Sequence, residues 1–254
     1  MAPAVPQMRM LIGDVGPAGP IASFVGGQRG PRPGGRPWVM INFAASVDGA
    51  TTITGESRGL SGPADREIFH QLRGVADAIL VGAETVRVEN YGPMHPREGV
   101  REARLARGQQ PVAPIVVVSR SLDLDWTGAL FGDAEATTVV AAPSDAAEDA
   151  LAAARLAGRV ICAGLGSVAL APLLARLAGD GHRTVLCEGG PRLVAELAAD
   201  DLIDEVFLAI SPQLVAGHAQ RMLAGPELVP ARGLALSAVL EAAGFLFLRY
   251  LVLR

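Results

Sequence analysis

The sequence predicts a three-layer α/β fold built on a mostly parallel sheet, with an antiparallel C-terminal hairpin. Three observations carry that prediction. Short apolar runs of strand length alternate with segments whose apolar residues recur at helical spacing. Several of the runs, such as Trp38 to Ala45, show almost no polar alternation, as strands covered on both faces do. Two β-like runs at the C-terminus are joined through Glu241-Ala242-Ala243-Gly244, which predicts a hairpin at one edge of the sheet.

The elements follow in order. Residues 1–36 are rich in Gly, Pro and Arg and read as a flexible lead-in whose arginines are solvated. Order is expected over 37–254, in one domain. The first strand is Trp38 to Ala45. Asp48-Gly49 opens a loop rich in Thr, Gly and Ser that runs to Gly62. Pro63 suits a first helical turn, and Ile68, Phe69, Leu72 and Val75 continue that helix. Asp77 to Gly82 is a strand and Glu84 to Glu89 a short helix, followed by a polar loop to about Pro111. Pro114 to Ser119 and Thr137 to Ala141 are strands. A helix starts at Ser144 and runs to about Ala157. Arg159 to Ala163 is a strand, Ser167 to Ala178 a helix, Arg183 to Cys187 a strand, Pro191 to Ala199 a helix and Asp204 to Ile210 a strand. Ala235 to Leu240 and Phe245 to Leu253 form the hairpin.

Composition narrows the chemistry. The chain has 254 residues, 22 basic and 26 acidic side chains, and a net charge of −4. It contains no lysine, which excludes a Schiff-base lysine, a lysine base and a P-loop lysine. The mildly acidic balance leaves no footprint for nucleic acid. Both cysteines, Cys162 and Cys187, lie in apolar runs and read as buried thiols in a reducing compartment. No apolar run approaches the roughly 20 residues needed to span a bilayer, and no signal peptide is evident. A soluble cytoplasmic protein without a membrane partner is expected.

Four segments can carry chemistry. Gly164-Leu165-Gly166-Ser167-Val168-Ala169 has the outline of a dinucleotide fingerprint. It lacks the acidic strand end that the fingerprint needs, so a plain strand–helix connection is the better reading. In Glu188-Gly189-Gly190-Pro191-Arg192-Leu193 a strand stops, glycines turn the backbone outward and proline opens a helix. This is either a phosphate cradle or a tight turn. Ser119-Arg120-Ser121 ends a strand with groups able to hold a phosphate monoester such as the 2′-phosphate of NADPH. Asp48, at another strand end, can hydrogen-bond a polar substrate or serve only its turn.

Taken together, Asn42-Phe43-Ala44-Ala45-Ser46-Val47-Asp48-Gly49, Gly55-Glu56-Ser57, Leu60-Ser61-Gly62-Pro63-Ala64-Asp65-Arg66, Ala78 to Arg87, Val185 to Pro191, Leu202-Ile203-Asp204-Glu205 and Ile210-Ser211-Pro212 resemble, in order and spacing, the pyrimidine reductase domain of riboflavin biosynthesis, a relative of dihydrofolate reductase. The resemblance covers about residues 37–254. It implies a dihydrofolate-reductase-like sheet, a homodimer, and NADPH-dependent reduction of a ribosylaminopyrimidine 5′-phosphate to its ribitylamino form. By the same resemblance Ala44, Gly59, Thr85, Glu89 and Ser119 face the cofactor, with Gly190 to Glu196 (Gly190, Pro191, Arg192 and Leu193 among them) around its phosphates; Gly82, Arg120 and Gly189, at strand ends and in the same turn, are further cofactor candidates. Ser57, Arg73 and Glu188 face the substrate, and Asp48 lies beside the reacting sugar as the catalytic candidate, orienting hydroxyls or relaying a proton. No metal is implied. The sequence departs from the family at Asn42, where many bacterial relatives carry lysine, at Gly59, where many carry a ring, and at Glu89, where aspartate is usual. Asn90 to Arg97 stands in place of a D-N-P-x-L-T-x-R stretch. The zinc deaminase fused to many relatives is not expected. The competing readings are a related reductase acting on a pterin such as dihydrofolate, and a non-catalytic nucleotide-binding protein.

Overall fold

The computed structural model describes residues 6–30, 32–97 and 99–254. Its strands are β1 (Arg9–Ile12), β2 (Trp38–Ser46), β3 (Ala78–Gly82), β4 (Ile115–Val118), β5 (Val139–Ala142), β6 (Arg159–Cys162), β7 (Thr184–Cys187), β8 (Glu205–Ser211), β9 (Leu234–Ala242) and β10 (Phe245–Val252). The helices are α1 (Pro20–Val25), α2 (Pro63–Val75), α3 (Ala83–Val88), α4 (Val100–Ala106), α5 (Ala129–Gly132), α6 (Glu148–Ala157), α7 (Leu170–Gly179) and α8 (Pro191–Ala199). All the strands join one sheet in the order β1-β9-β10-β8-β2-β7-β3-β4-β5-β6. From β8 to β6 every pairing is parallel, whereas β10 runs antiparallel to β8 and β9, and β1 antiparallel to β9.

Alternation along β2 explains the layers, since successive strand residues face opposite sides of a sheet. Val39 and Ile41 join a core built with Leu173, Leu174 and Leu177 of α7 and Val194 and Leu197 of α8. Met40, between them, joins the opposite core with Ile68 and Leu72 of α2, Phe207 and Phe247. All three β2 residues are at most 1% exposed, so the run needs no polar alternation.

The structure differs from the expected elements in several places. The described part of the lead-in is ordered rather than flexible. β1 adds an outer strand beyond the hairpin, so β9 is not the sheet edge. Phe24 of α1 is buried edge-on against Phe207, with ring centroids 5.6 Å apart. Two of its arginines are not solvated: Arg29 Nε donates to Glu205 at 2.8 Å and Arg36 Nη1 to Asp204 at 2.7 Å, and both carboxylates are fully buried. The partners lie some 170 residues away in sequence, so no local pattern announces them.

The polar loop before Pro111 contains α4. It docks through Arg104, which is 0% exposed and donates to Ala76 O at 2.5 Å, Gly74 O at 3.2 Å and Gln110 O at 2.8 Å. The helix expected from Ser144 begins at Glu148, while Asp145 accepts the Gly166 N–H at 2.7 Å. Cys187 is buried as expected, but Cys162 is exposed. It ends β6, the outermost parallel strand, which has no neighbour to cover it.

Candidate active site

Ligands in open α/β sheets collect beyond the carboxyl ends of the strands. Here the ends of β2, β7, β3 and β4 open into a cleft of about 1170 Å³. Its walls come from the β2 end, the 51–58 loop, the α2 start, the β3–α3 turn, the β4 end, the β7–α8 turn and a loop at 215–220.

The β7–α8 turn is shaped by its glycines. Gly189 has φ +98°, and a Cβ there would meet Phe43 Cζ at 3.1 Å. Only glycine suits that combination. Gly189 itself lies beneath the wall, where its carbonyl accepts the Gly82 N–H at 2.8 Å. Gly190, Pro191, Arg192 and Leu193 line the cleft. A Cβ on Gly190 would meet Thr85 Oγ1 at 2.8 Å. The α8 N-terminus has proline in its first turn and no side-chain cap, so its free N–H groups and dipole favour an anion. These features fit a dinucleotide phosphate. Gly164, in the other glycine turn, is needed by that turn itself, because a Cβ would meet Ser167 O at 2.5 Å.

At the β4 end, Ser119 is 2% exposed and its Oγ accepts the Leu122 N–H at 3.0 Å. Its hydroxyl therefore serves the turn first. Arg120 is exposed and lines the cleft. Ala44, Gly82 and Thr85 also line it. Glu89, at the end of α3, accepts the Ser57 N–H at 2.8 Å and pegs the 51–58 loop to α3. Gly59 stands off the wall and its carbonyl accepts from Gln213 Nε2 at 3.1 Å.

The three expected substrate residues are partly brought together. Ser57 and Glu188 line the cleft. Arg73 lies just behind, forking onto Glu188 with Nε–Oε1 at 2.8 Å and Nη2–Oε2 at 2.7 Å. Its Nη2 also donates to Tyr91 Oη at 2.6 Å, and the guanidinium lies 4.3 Å from the Phe69 ring centroid. A fork held this way is a rigid recognition element for Glu188 rather than a free phosphate grip.

Asp48 is not on the cleft wall. Ser46 Oγ donates to it at 2.5 Å, and the Ala216 and Val215 N–H groups at 2.7 and 3.2 Å. These bonds, chiefly that from Ser46, lower its carboxyl from 3.8 to about 2. An acid that ionised is a poor proton donor at neutral pH. The geometry makes Asp48 a brace for the 215–220 loop, whose Val215, Ala216, His218 and Gln220 face the cleft. Thr51 braces the same loop, with its N–H and Oγ1 both donating to Gln220 O, at 3.1 and 2.7 Å. Sequence reasoning missed this loop, as well as Phe69 and Tyr91. The loop carries no motif, and Tyr91 sits in the stretch that departs from the family pattern.

A mainly parallel sheet whose strand ends open into a cleft, with a glycine turn at a helix N-terminus beside a paired carboxylate and guanidinium, has the build of an α/β enzyme site. Comparison with known proteins narrows the class: the chain belongs to the family of the RibD C-terminal domain, whose model matches residues 37–242. It is 35% identical over 193 residues to the 2,5-diamino-6-ribosylamino-4(3H)-pyrimidinone 5′-phosphate reductase of Methanothermobacter thermautotrophicus, covering 76% of this chain and 85% of that one. The reductase of the same name from Archaeoglobus fulgidus is 33% identical over 186 residues, covering 72% and 84%. Among solved structures, a pyrimidine reductase-like protein of Corynebacterium diphtheriae superposes with a TM-score of 0.78 at 26% identity, covering 86% of this chain and 92% of that one. The expected fold and family are thus met, and the chain is an oxidoreductase of the reductase family. Among the described residues no helix is long and apolar enough to cross a membrane.

Proposed function

We propose that this chain reduces a ribosylaminopyrimidine 5′-phosphate to its ribitylamino form, using NADPH. Membership of a family of reductases named for that substrate supports the reading, and the observation that carries it to this chain is the cleft. Its glycine cradle at Gly190 fits a cofactor's phosphates, and its Glu188–Arg73 pair fits a polar heterocycle. NADPH, when bound, supplies a hydride for the sugar C1′ of the ring-opened imine, whose nitrogen then takes up a proton.

The chain's own residues bind, orient and enclose. Gly190 to Leu193 would hold the cofactor phosphates, and Arg120 the 2′-phosphate that separates NADPH from NADH. Glu188, fixed by Arg73, which Tyr91 holds in turn, would accept the amino and ring N–H groups of the pyrimidine. Ser57, fixed by Glu89, would meet the sugar or its phosphate. Asp48 would act through the 215–220 loop, as a positioning residue. A homodimer belongs to the same reading. The supporting observation is one face of the β9–β10 pair, where Leu236 and Leu246 are 43% and 39% exposed.

The test is NADPH oxidation followed at 340 nm with the ribosylaminopyrimidine phosphate, with dihydrofolate and with no substrate. Oxidation with the first alone is expected. Oxidation with dihydrofolate alone, or with neither, rejects the proposal.

A further inference from the structure

We infer that the substrate's phosphate is received by Arg58 and Arg66, at the α2 end of the cleft; this deepens the function proposed above and rests on it for the identity of the substrate. The chain has no lysine, so a cationic grip on a phosphate ester has to be arginine. The arginines around the cleft divide by what already holds them. Arg73 is committed to Glu188 and Tyr91. Arg97, which ends the stretch that departs from the family pattern, is paired with Glu67 and does not line the cleft. Arg87 donates to Asp123 O at 2.6 Å, and Arg192 lies 3.5 Å from Glu84. Arg120 is at the end of β4, three strands from β2. At about 4.8 Å per strand that is roughly 14 Å away, on the side assigned to the cofactor.

Arg58 and Arg66 remain. Both line the cleft, both are exposed, and neither side chain has a hydrogen-bond or ion-pair partner among the described residues. Arg58 stands on the 3₁₀ turn just before α2, and Arg66 lies one turn into that helix. Ser57 lies on the same wall and adds a hydroxyl donor. The first turn of α2 has no side-chain cap, so its dipole acts in the same sense as the two guanidinium groups. The carboxyl facing them, Asp65, is held by Ser61 Oγ at 2.5 Å, and burial raises its pKa, which limits its opposing charge. The pair thus leaves two uncommitted guanidinium groups on the cleft wall, where a phosphate ester can be received.

The experiment uses the full chain saturated with NADPH, so that the cofactor's phosphate contacts are already filled. Binding of a pentose 5-phosphate and of the free pentose is measured by calorimetry at low salt. The expected result is a clear preference for the phosphorylated sugar, reduced at least about tenfold in Arg58→Ala/Arg66→Ala. Arg58→Glu alone, on an exposed turn, should show the same direction, with NADPH affinity and melting temperature unchanged in both variants. In turnover, KM for the phosphorylated pyrimidine should rise by a similar factor while the dephosphorylated form is handled as before. A wild-type protein with no preference for the phosphate, or variants that keep it, overturns the inference. If the wild-type protein does not reduce the pyrimidine at all, the function proposed above fails, and the pentose phosphate measurement still decides the subsite.

Discussion

Replacing Gly190 tests the cradle through a single backbone position. Gly190 has φ −70° and ψ 178°, so an L side chain is not strained there. A Cβ would meet only Thr85 Oγ1, at 2.8 Å. That oxygen is the end of a short side chain that can rotate, so the folded state should lose about 1–2 kcal/mol, at the lower end of overpacking costs. The γ-methyls of Gly190→Val point into the space that cofactor phosphates need if the free N–H groups of α8 hold them. Excluding the phosphates should weaken NADPH at least about 100-fold, or roughly 2.7 kcal/mol. Fluorescence titration of NADPH gives the affinity, and thermal melting with circular dichroism checks the fold. A second variant separates the two effects. Gly190→Val/Thr85→Ala removes the contacting oxygen, so it should melt close to Thr85→Ala alone while binding NADPH far more weakly than that single variant does. A folded Gly190→Val that binds NADPH as the wild type does would refute the cradle and leave the turn a structural one.

Other consequences are as direct. Arg120→Ala should cost about 1.5–3 kcal/mol in NADPH affinity, roughly 10- to 150-fold, while NADH affinity stays the same; an equal loss for both would show that Arg120 does not read the 2′-phosphate. Asp48→Ala should lower kcat/KM by a factor that is constant across neutral pH, because the carboxylate braces a loop and carries no proton there; a loss confined to one limb of the pH profile would make it a proton relay after all. The folded-state value of Asp48 lies below its ordinary one, so its bracing is fully present above about pH 4 and is lost as pH falls through about 2. That loss should appear as increased protease cleavage or hydrogen exchange at 213–220. Glu205→Gln leaves Arg29 and Arg249 without their buried charge partner, which should cost about 3–5 kcal/mol in urea unfolding; a cost under about 1 kcal/mol would mean that the ordered N-terminal segment is not held by this pair.

The sheet was legible because its signal is local. Strands such as β2 and β7 are short, apolar and bounded by Gly, Pro or Asp, and α8 was placed from Pro191 to Ala199, where the structure has it. What was not legible depends on partners remote in the chain. Arg29 and Arg36 look solvated until Asp204 and Glu205 are folded against them. Arg104 looks like a surface residue of a polar loop until the carbonyls ending α2 surround it. The site divides in the same way. Glycine turns and strand ends mark where phosphates can sit, and the family resemblance supplies the other expected cofactor residues, most of which line the cleft. Which side chains are already occupied cannot be read from sequence. Arg73 turned out to be bound to Glu188, and Asp48 to backbone N–H groups of the 215–220 loop.

Transfer of a label from the cofactor tests the central claim most directly. Hydride transfer requires the cleft to hold a nicotinamide against the sugar C1′ of the ribosylaminopyrimidine phosphate. With NADPH carrying deuterium on the transferred face of C4, the product should carry a single deuterium at C1′ of the ribityl chain by mass spectrometry and NMR, and none when the solvent alone is deuterated. Deuterium at C1′ taken from solvent, or an unlabelled product with NADPH left unoxidised, would contradict the account.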